Sequence, residues 1–421
     1  MCALVTERQP IINSKGEVND ASNSAISRSG KSKPSRDVFS AGFRPFFLFA
    51  ALWAAVGLPL SIAYLEAAAE LPTRFPPSIW HAHEMAFGFG GAVVAGFLLT
   101  AIPNWTGRLP LQGAPLAGLV ALWLLGRIAV LTSNSAPALV SAALDLAFPA
   151  VFIFVVAREI ATGRNWRNLP MVAALALLFF GNLLTHLEAM DLAATGAIGA
   201  RVGVATLIML IAIIGGRIAP SFTRNWLAKN SPAEVEPAPF GALDRFALAA
   251  TLVALVAWVA FPDAGLTAAP LIIAGAALFL RLIRWRGVST RAEPMLFVLH
   301  LGYGWVPLGF LLIGGNELWG VAGPAAPLHA LTVGAIGTMT LAVMTRATRG
   351  HTGRPLLADR WTAAIYVAIT LAAILRIGAP FTGEHYFAAL AVAGGMWSLA
   401  YGLFVVLYFG MVTTRRLHQT A

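Results

Sequence analysis

The sequence predicts an all-α polytopic membrane protein with about twelve transmembrane helices. The chain has 421 residues, of which 58% are hydrophobic and only 11% are charged, whereas a soluble domain is about one-quarter charged. Apolar runs of about 20 residues, the length that crosses a bilayer as a helix, recur along most of the chain. Lysine and arginine concentrate in alternate connections, as the positive-inside rule requires.

The first forty residues differ from the rest of the chain. The stretch SKGEVNDASNSAISRSGKSKPSR is polar, serine-rich and basic, and it contains no apolar core or signal-peptide apolar region. Residues 1–40 are therefore predicted to be a disordered cytoplasmic tail. Twelve predicted spans follow, at 43–66, 79–102, 114–132, 137–158, 169–188, 197–218, 241–262, 267–284, 294–314, 326–346, 359–379 and 385–411.

The spans fall into two predicted six-helix halves, 41–218 and 241–421, joined by a cytoplasmic linker at 219–240 that contains NSPAEVEPAP. With both termini in the cytoplasm, all but four of the 29 lysines and arginines lie on the inner side. The net charge of +10 therefore reflects topology and gives no indication of nucleic-acid binding. The four outer arginines are Arg74, Arg127, Arg201 and Arg376.

Histidines are concentrated near the predicted outer ends of the spans, at His81, His83, His186, His329 and His385. His300 instead enters span 9 from the inner side and lies roughly 9 Å in, at 1.5 Å per residue. Ionisable side chains are rare inside membrane spans, and imidazoles that converge from several helices are what a buried haem or copper ion needs. The alternative is that each is a hydrogen-bonded interfacial histidine.

Cysteine usage narrows the type of metal site. The single cysteine, Cys2, lies in the polar tail. The sequence therefore has no disulfide, no CxxCH site for covalent haem and no cysteine-ligated metal centre. Any haem is expected to be b-type and held by histidine.

The stretch HAHE at 81–84 opens span 2 with two imidazoles and a carboxylate. Residues two apart on a helix point about 200° apart, so a helix that begins at Ser78 sends His81 and His83 to different neighbours. A helix that begins at His83 or later lets both reach one copper ion. Glu84 is three residues from His81 and is expected on the same face. It is the candidate catalytic residue, either as a proton carrier or as an acceptor that orients His81.

Three outer arginines, Arg127, Arg201 and Arg376, oppose the positive-inside trend. A haem carries two propionates, and arginine binds carboxylates bidentately. These arginines are therefore candidates for cofactor binding. The alternative for Arg127 is a structural ion pair with Asp145 that holds spans 3 and 4 together.

Four stretches of the chain are similar to the NnrS family of bacterial membrane proteins: GFRPFFL at 42–48, HAHEMAFGFGGAVVAGFLLTAIPNWTG at 81–107, HLGYGW at 300–305 and HALTVGAIGTMTLAVMTRATRGHTGR at 329–354. The resemblance covers most of the chain from residue 42, and it implies haem, copper and a link to nitric oxide metabolism. It points to His81, His83, Glu84, His300, His329 and His351. The topology places His351 in the cytoplasm, so the candidate metal ligands are His81, His83, His186, His300 and His329.

Two classes of function are consistent with the sequence. The first is an oxidoreductase of the bacterial inner membrane that uses haem b and copper to bind and reduce nitric oxide to N2O, or that otherwise protects against nitrosative stress. Its electron donor would be a quinol or a periplasmic cytochrome, and its protons would come from outside because Asp145, Glu188 and Asp191 are all predicted outer. The pattern is not that of a terminal oxidase, which has a His-His doublet and an HxxxY signature. The alternative is a twelve-span transporter whose histidines line a substrate or copper pathway.

Overall fold

Long apolar helices make up nearly all of the structure, a computed structural model that describes residues 37–230, 236–262 and 265–414. Helices and turns account for these residues, and no β-strand occurs among them. The predicted tail lies outside the described residues except for 37–40, where Val38–Ser40 form a single 3-10 turn. The all-α membrane fold expected from the sequence is confirmed.

Twelve helices occupy the positions of the predicted spans. In chain order, α1 to α12 are Phe43–Leu65, Pro77–Thr106, Ala114–Leu131, Ala138–Thr162, Leu169–Ala189, Gly196–Asn230, Ala242–Ala260, Ala268–Ile283, Pro294–Trp319, Ala325–His351, Arg360–Gly378 and Tyr386–Thr413.

Among the described residues, eleven helical stretches are long and apolar enough to span a membrane. The last of them, Arg360–Thr413, is 54 residues long, or about 80 Å, far more than the roughly 30 Å hydrocarbon core. It breaks at Gly383, where the backbone turns to φ 57° and ψ −121°. The two parts, α11 and α12, pack against each other. This stretch therefore crosses twice, which gives the predicted number of spans.

The largest difference from the predicted spans is in α6, which continues to Asn230 instead of ending near residue 218. Ala219, Thr223 and Leu227 are buried at four-residue intervals, so one face of this extension packs against the bundle while the other carries polar residues. The average polarity of the stretch hides this helix from a hydropathy reading. The first part of the predicted linker is therefore helical, and residues 231–235 lie outside the described residues.

The two predicted six-helix halves pack extensively against each other. Helix α1 lies along α12, and α6 contacts α7 and α10. Backbone contacts group the described helices into one unit. Side chains near the boundary can therefore belong to sites built from both halves.

Three helices contain a wider π-helical segment: Glu84–Gly90 in α2, Ile211–Gly215 in α6 and Ala330–Gly337 in α10. Such segments are uncommon and frequently mark functional sites. The first begins directly after His83, and the third begins directly after His329. Both α2 and α10 therefore present a histidine at the point where their helical geometry changes.

Candidate metal centre

Helix α2 sets the directions of His81 and His83. It begins at Pro77, after Pro76 with an extended backbone at ψ 149°, and it is α-helical through both histidines. Proline fits the first helical position because no hydrogen-bond partner is needed there. The two imidazoles therefore leave the helix in nearly opposite directions. They belong to two separate groups of side chains, as expected for a helix that starts before both of them.

We call the group around the second histidine the His83 cluster, and it consists of His83, Glu84, Arg127, Asp145, Asn182 and His186. Helices α2, α3, α4 and α5 each contribute to it. No member is more than 4% exposed. Buried polar groups are stable only when they are hydrogen-bonded, and buried charges only when they are paired. The charges of the cluster are paired, and its polar atoms are hydrogen-bonded except Arg127 Nε, which is buried without a partner among the described residues.

The Asp145 carboxylate is the centre of the His83 cluster. Its Oδ2 accepts hydrogen bonds from His186 Nε2 at 2.9 Å, from Asn182 Nδ2 at 2.9 Å and from His83 Nε2 at 3.1 Å. Its Oδ1 accepts from the Nη2 of Arg127. One carboxylate thus joins side chains from four helices. Hydrogen bonds from four side chains thus fix the position of the Asp145 carboxylate.

Glu84 forms the other side of the cluster. Both of its carboxylate oxygens lie 2.7 Å from Arg127 Nη1, and Oε1 lies 3.1 Å from His83 Nδ1. The expectation that Glu84 orients His81 is therefore wrong. The buried guanidinium of Arg127 attracts this carboxylate more strongly than a neutral imidazole would, because burial leaves no water to solvate either charge.

Arg127 forms the ion pair that was the alternative to a propionate-binding role. Its terminal nitrogens are shared between Glu84 and Asp145. Trp123 lies one turn away, with its ring centroid 6.0 Å from the guanidinium carbon. In this arrangement Arg127 holds the cluster together through Nη1 and Nη2, while its Nε is buried without a hydrogen-bond partner among the described residues.

The protons on His83 follow from its neighbours. Nδ1 faces Glu84 Oε1, while Nε2 faces Asp145 Oδ2 and, at 2.8 Å, Asn182 Oδ1. All three are acceptors, so both ring nitrogens must donate, which only the imidazolium form can do. A positive His83 and a positive Arg127 then balance the charges of Glu84 and Asp145. A divalent cation bound by the same groups would take over this balance by displacing protons.

The cluster also has the donors that a metal ion requires. One ligand atom each from His83, Asp145 and His186 lie within 4.8 Å of one another. Two imidazoles and one carboxylate are the donor set used by zinc, copper and non-haem iron sites in proteins. The short separations match ligands about 2 Å from one small ion. The residues present therefore fit a single metal ion better than a flat macrocycle.

Aromatic side chains close the cluster towards the predicted outer side. The Phe75 ring lies 5.2 Å from the ring centroids of both His83 and His186. Phe75 is 1% exposed and Trp80 is fully buried. The loop that carries Phe75 is tied down because Thr73 Oγ1 donates to Val130 O at 2.8 Å. The charged groups are thus shielded from outer water.

The second group, which we call the His81 pair, consists of His81 on α2 and His329 on α10. Their ring centroids lie 6.5 Å apart and their planes differ by 23°. The charge of Arg376, near the end of α11, acts on both imidazoles. Because α2 belongs to the first predicted half and α10 and α11 to the second, this pair lies between the halves.

The ring nitrogens of His81 and His329 are placed so that both could bind one metal ion. His329 Nδ1 donates to the carbonyl of Ala325 at 2.5 Å, which leaves Nε2 with the lone pair, as in many metal-ligating histidines. His81 Nδ1 is buried without a hydrogen-bond partner among the described residues. Bonds of about 2 Å from two imidazoles to one metal put the ring centroids roughly 6 Å apart. The observed spacing fits a haem iron or a copper ion.

The other candidates lie away from both groups. His300 Nε2 lies 2.8 Å from Thr223 Oγ1 on α6, and its ring also contacts Trp285 near the inner end. His351 packs on Phe43. His385 is 77% exposed beside Glu384. Arg201 lies in the second turn of α6, partly buried. The structure thus does not bring His300 to the outer-end sites with the other four candidate ligands.

Two members of the His83 cluster had no assigned metal role in the sequence. Asp145 was expected only as an arginine partner, and Asn182 was not singled out. Asn182 precedes His186 by four residues on α5, so both share one helix face. The sequence does contain a signal for Asn182: it lies one turn before a histidine inside an apolar helix. An amide in a membrane span needs a polar partner.

Comparison with known protein families gives one decisive match. The model of the NnrS protein family matches residues 37–416, nearly the whole chain. The chain belongs to the NnrS family. A search of curated proteins found no significant match. Membership of this family makes the protein a multi-pass membrane protein linked to nitric oxide. The two longest stretches that resemble the family contain both histidines of the His81 pair and, from the His83 cluster, His83 and Glu84.

Proposed function

We propose that the protein is a haem- and copper-containing oxidoreductase of the bacterial inner membrane that binds and reduces nitric oxide. In the balanced reaction, two NO molecules, two electrons and two protons give one N2O and one water. One observation carries the proposal. Two histidines two residues apart on α2 reach two separate buried groups, each with the donors that a metal requires.

The two groups suit different metals. His83, Asp145 and His186 are assigned to copper, because a compact set of two imidazoles and a carboxylate encloses one ion. His81 and His329 are assigned to haem iron, with Arg376 beside them as a partner for a propionate. When bound, the two metals would carry to NO the electrons that reduce it. The source of these electrons is a donor of the quinol or periplasmic cytochrome class.

The chain's own residues hold and deliver the protons. Without a metal, His83 has a proton on each ring nitrogen between Glu84 and Asp145, and a bound ion would displace the proton from the ligating nitrogen. Arg127 fixes both carboxylates. Glu84 is the proposed proton carrier because its oxygens face both the imidazole and the guanidinium. His83 and Glu84 lie in the first turns of α2, at the predicted outer end. Protons are therefore expected to enter from the periplasmic side without charging the membrane, and they must pass the Phe75 ring that covers the imidazoles.

The optical spectrum tests the proposal most directly. The purified, reduced protein should show a Soret band that shifts when NO or CO replaces one of the two imidazoles. Acid-acetone should extract the pigment because no cysteine is available to bind it covalently. Copper analysis should find metal that His83→Ala and His186→Ala lose. His385→Ala is the matched control, since that residue is 77% exposed.

The same experiment separates this proposal from the transporter alternative. A protein without a Soret band and without bound copper, but with NO-independent movement of a substrate across vesicles, would be a transporter. With haem present, Glu84→Gln should slow NO turnover while retaining the pigment. Proton uptake from the cytoplasmic face of oriented vesicles would contradict the proposed proton route.

A further inference from the structure

A cavity lies on the membrane-centre side of the His83 cluster. The cavity itself has a volume of about 30 Å³, within about 430 Å³ of empty space that includes its open mouth. Arg127, Asp145 and Asn182 form its polar end, and Phe87, Phe148 and Leu178 form part of its apolar wall. The residues of α2, α4 and α5 that line it continue from the cluster towards the middle of the membrane. The cavity thus connects an apolar space with the buried charges.

Water from the predicted outer side does not have the same access. Phe75 covers both imidazoles of the cluster. Its loop is held by Thr73 and by Arg74, whose Nε donates to Ser133 O at 2.9 Å. Of the residues that line the cavity, those that are partly exposed are Gly91 on α2 and Pro149 and Ile153 on α4, so its open side lies between these two helices. That surface lies within a membrane span, so the mouth faces hydrocarbon.

Helix α4 is built to leave this space. Pro149 has no N–H, so the carbonyl of Asp145 four residues earlier lacks its usual helical hydrogen bond. The rings of Phe148 and Phe152 stack in parallel, with centroids 5.9 Å apart and planes 5° apart. On the opposite side, Gly91 contributes no side chain, and a Cβ placed there meets nothing within 4 Å among the described residues. The space is therefore bounded by rigid walls and one missing side chain.

We propose that this cavity admits a small, uncharged, apolar molecule from the bilayer and holds it against the His83 cluster. A diatomic gas dissolves in hydrocarbon and loses no strong hydration on entry, whereas an anion would have to shed its water and cross an apolar wall. The identification of the gas as nitric oxide rests on the proposed function. The lateral route itself rests on the shape and lining of the cavity.

The variant Gly91→Leu tests the route because it fills the cavity without a backbone clash. Leucine is also more favourable than glycine in a helix, by about 1 kcal/mol or slightly less, so the variant is expected to fold. Gly402→Leu is the matched control. Gly402 is a partly buried glycine within α12, and a Cβ there also meets nothing within 4 Å among the described residues.

Two measurements on full-length protein in lipid nanodiscs decide the matter. Xenon binding, followed by NMR, should be lost from this cavity in Gly91→Leu and retained in Gly402→Leu. After flash photolysis of CO or NO, ligand recombination with the reduced metal centre should slow by roughly tenfold or more in Gly91→Leu only. The Soret band and copper content should stay unchanged in both variants. Unchanged recombination in Gly91→Leu, with xenon displaced, would overturn the route.

The two proposals fail in different ways. If the wild-type protein carries no haem or copper, the proposed function is wrong, and xenon binding still reports on the cavity. If haem and copper are present but xenon binds equally to wild type and Gly91→Leu, the cavity proposal is wrong and the proposed function stands.

Discussion

The His83 cluster and the His81 pair begin two residues apart on one helix, yet they have opposite chemistry. In the cluster, each ring nitrogen of His83 faces an acceptor, and two carboxylates are balanced by buried positive charge. In the pair, His81 Nδ1 lacks a partner among the described residues, and the nearby charge is the cation Arg376. The first is a charged network within one half, and the second is a pair of imidazoles between the halves.

This difference indicates what each group does without its metal. Protons can replace a cation in the His83 cluster, so its charges stay paired and it holds α2 to α5 together, although Arg127 Nε lacks a hydrogen-bond partner among the described residues. The His81 pair leaves a buried nitrogen unsatisfied, which costs about 1–3 kcal/mol. Its stability is therefore expected to depend more on a bound ligand. Five predictions test this comparison.

The largest effect is expected from Asp145→Ala. It leaves Arg127, His83 and His186 buried without their shared carboxylate, and removing one partner of a buried ion pair costs about 3–5 kcal/mol. The free energy of unfolding in detergent should fall by that amount, and copper should be lost. The pigment assigned to the His81 pair should be retained in whatever protein folds. Loss of both metals from folded protein would show that the two groups are not independent.

Next in size is the coupling between Arg127 and Glu84. Arg127→Met and Glu84→Gln each leave an uncompensated buried charge, so each is expected to cost about 3 kcal/mol. The double variant removes both charges and should cost less than the sum, with a coupling energy of about 1–3 kcal/mol. Unfolding free energies of the wild type, the two single variants and the double variant give this value. Strict additivity would contradict the network.

The backbones of α5 and α6 are in close contact beside the His83 cluster. This contact positions residues of that cluster and none of the His81 pair. A Cβ at Gly199 would collide with the carbonyl of Gly181, one residue before Asn182. Because both atoms belong to backbones, Gly199→Ala must push α5 away, at a cost of about 1–3 kcal/mol. Copper occupancy should fall while the haem spectrum is unchanged. Gly118→Ala, where a Cβ meets nothing nearby, is the control for helix propensity.

A smaller loss of stability is expected from His329→Ala. Its Nδ1 has a single backbone partner. The free energy of unfolding of the metal-free protein should therefore fall by about 1 kcal/mol. The Soret band should disappear while copper is retained. The part of the stability difference between holo and apo protein that haem contributes should also vanish in this variant, while the part due to copper remains. Retention of a normal Soret band would remove His329 from the ligand set.

The smallest effect is expected at Asp359, which lies far along α11 from Arg376. Partial burial acts to raise the pKa of the Asp359 carboxyl. Hydrogen bonds from Thr362 and the Arg349 guanidinium outweigh this effect and hold the pKa below its usual range. A lowered folded-state pKa means that the stabilisation is present above the unfolded pKa and is lost as the pH falls through the folded one. Asp359→Ala should cost about 1 kcal/mol as a lost helix cap.

The pH profile of thermal unfolding checks this last prediction. The difference between wild type and Asp359→Ala should be constant near neutral pH and should shrink in the acidic range. Haem and copper content should be unchanged, since neither group contacts this end of α11. A change in either metal would show that α11 transmits strain from its inner end to Arg376.

Much of the fold followed from the sequence because membrane spans are read from local composition. Eleven of the twelve predicted spans begin and end within about five residues of the observed helices. Helix α6 differs most, since its last turns are amphipathic and polar on average. The buried Ala219, Thr223 and Leu227 show that periodicity, rather than mean hydropathy, carried the information there.

The sequence by itself limited His81 and His83 to two arrangements, divergent if the helix starts before His81 and convergent if it starts at His83 or later, and the start at Pro77 decides for the first. It also supplied the Arg127–Asp145 pair as an alternative. Only the tertiary structure decided that Glu84 turns to Arg127 and not to His81, that Asn182 joins the cluster, and that His300 lies apart. Those outcomes depend on which helix lies next to which. Spacing along one helix sets directions, but the partner at the end of each direction is chosen by the packing of all twelve.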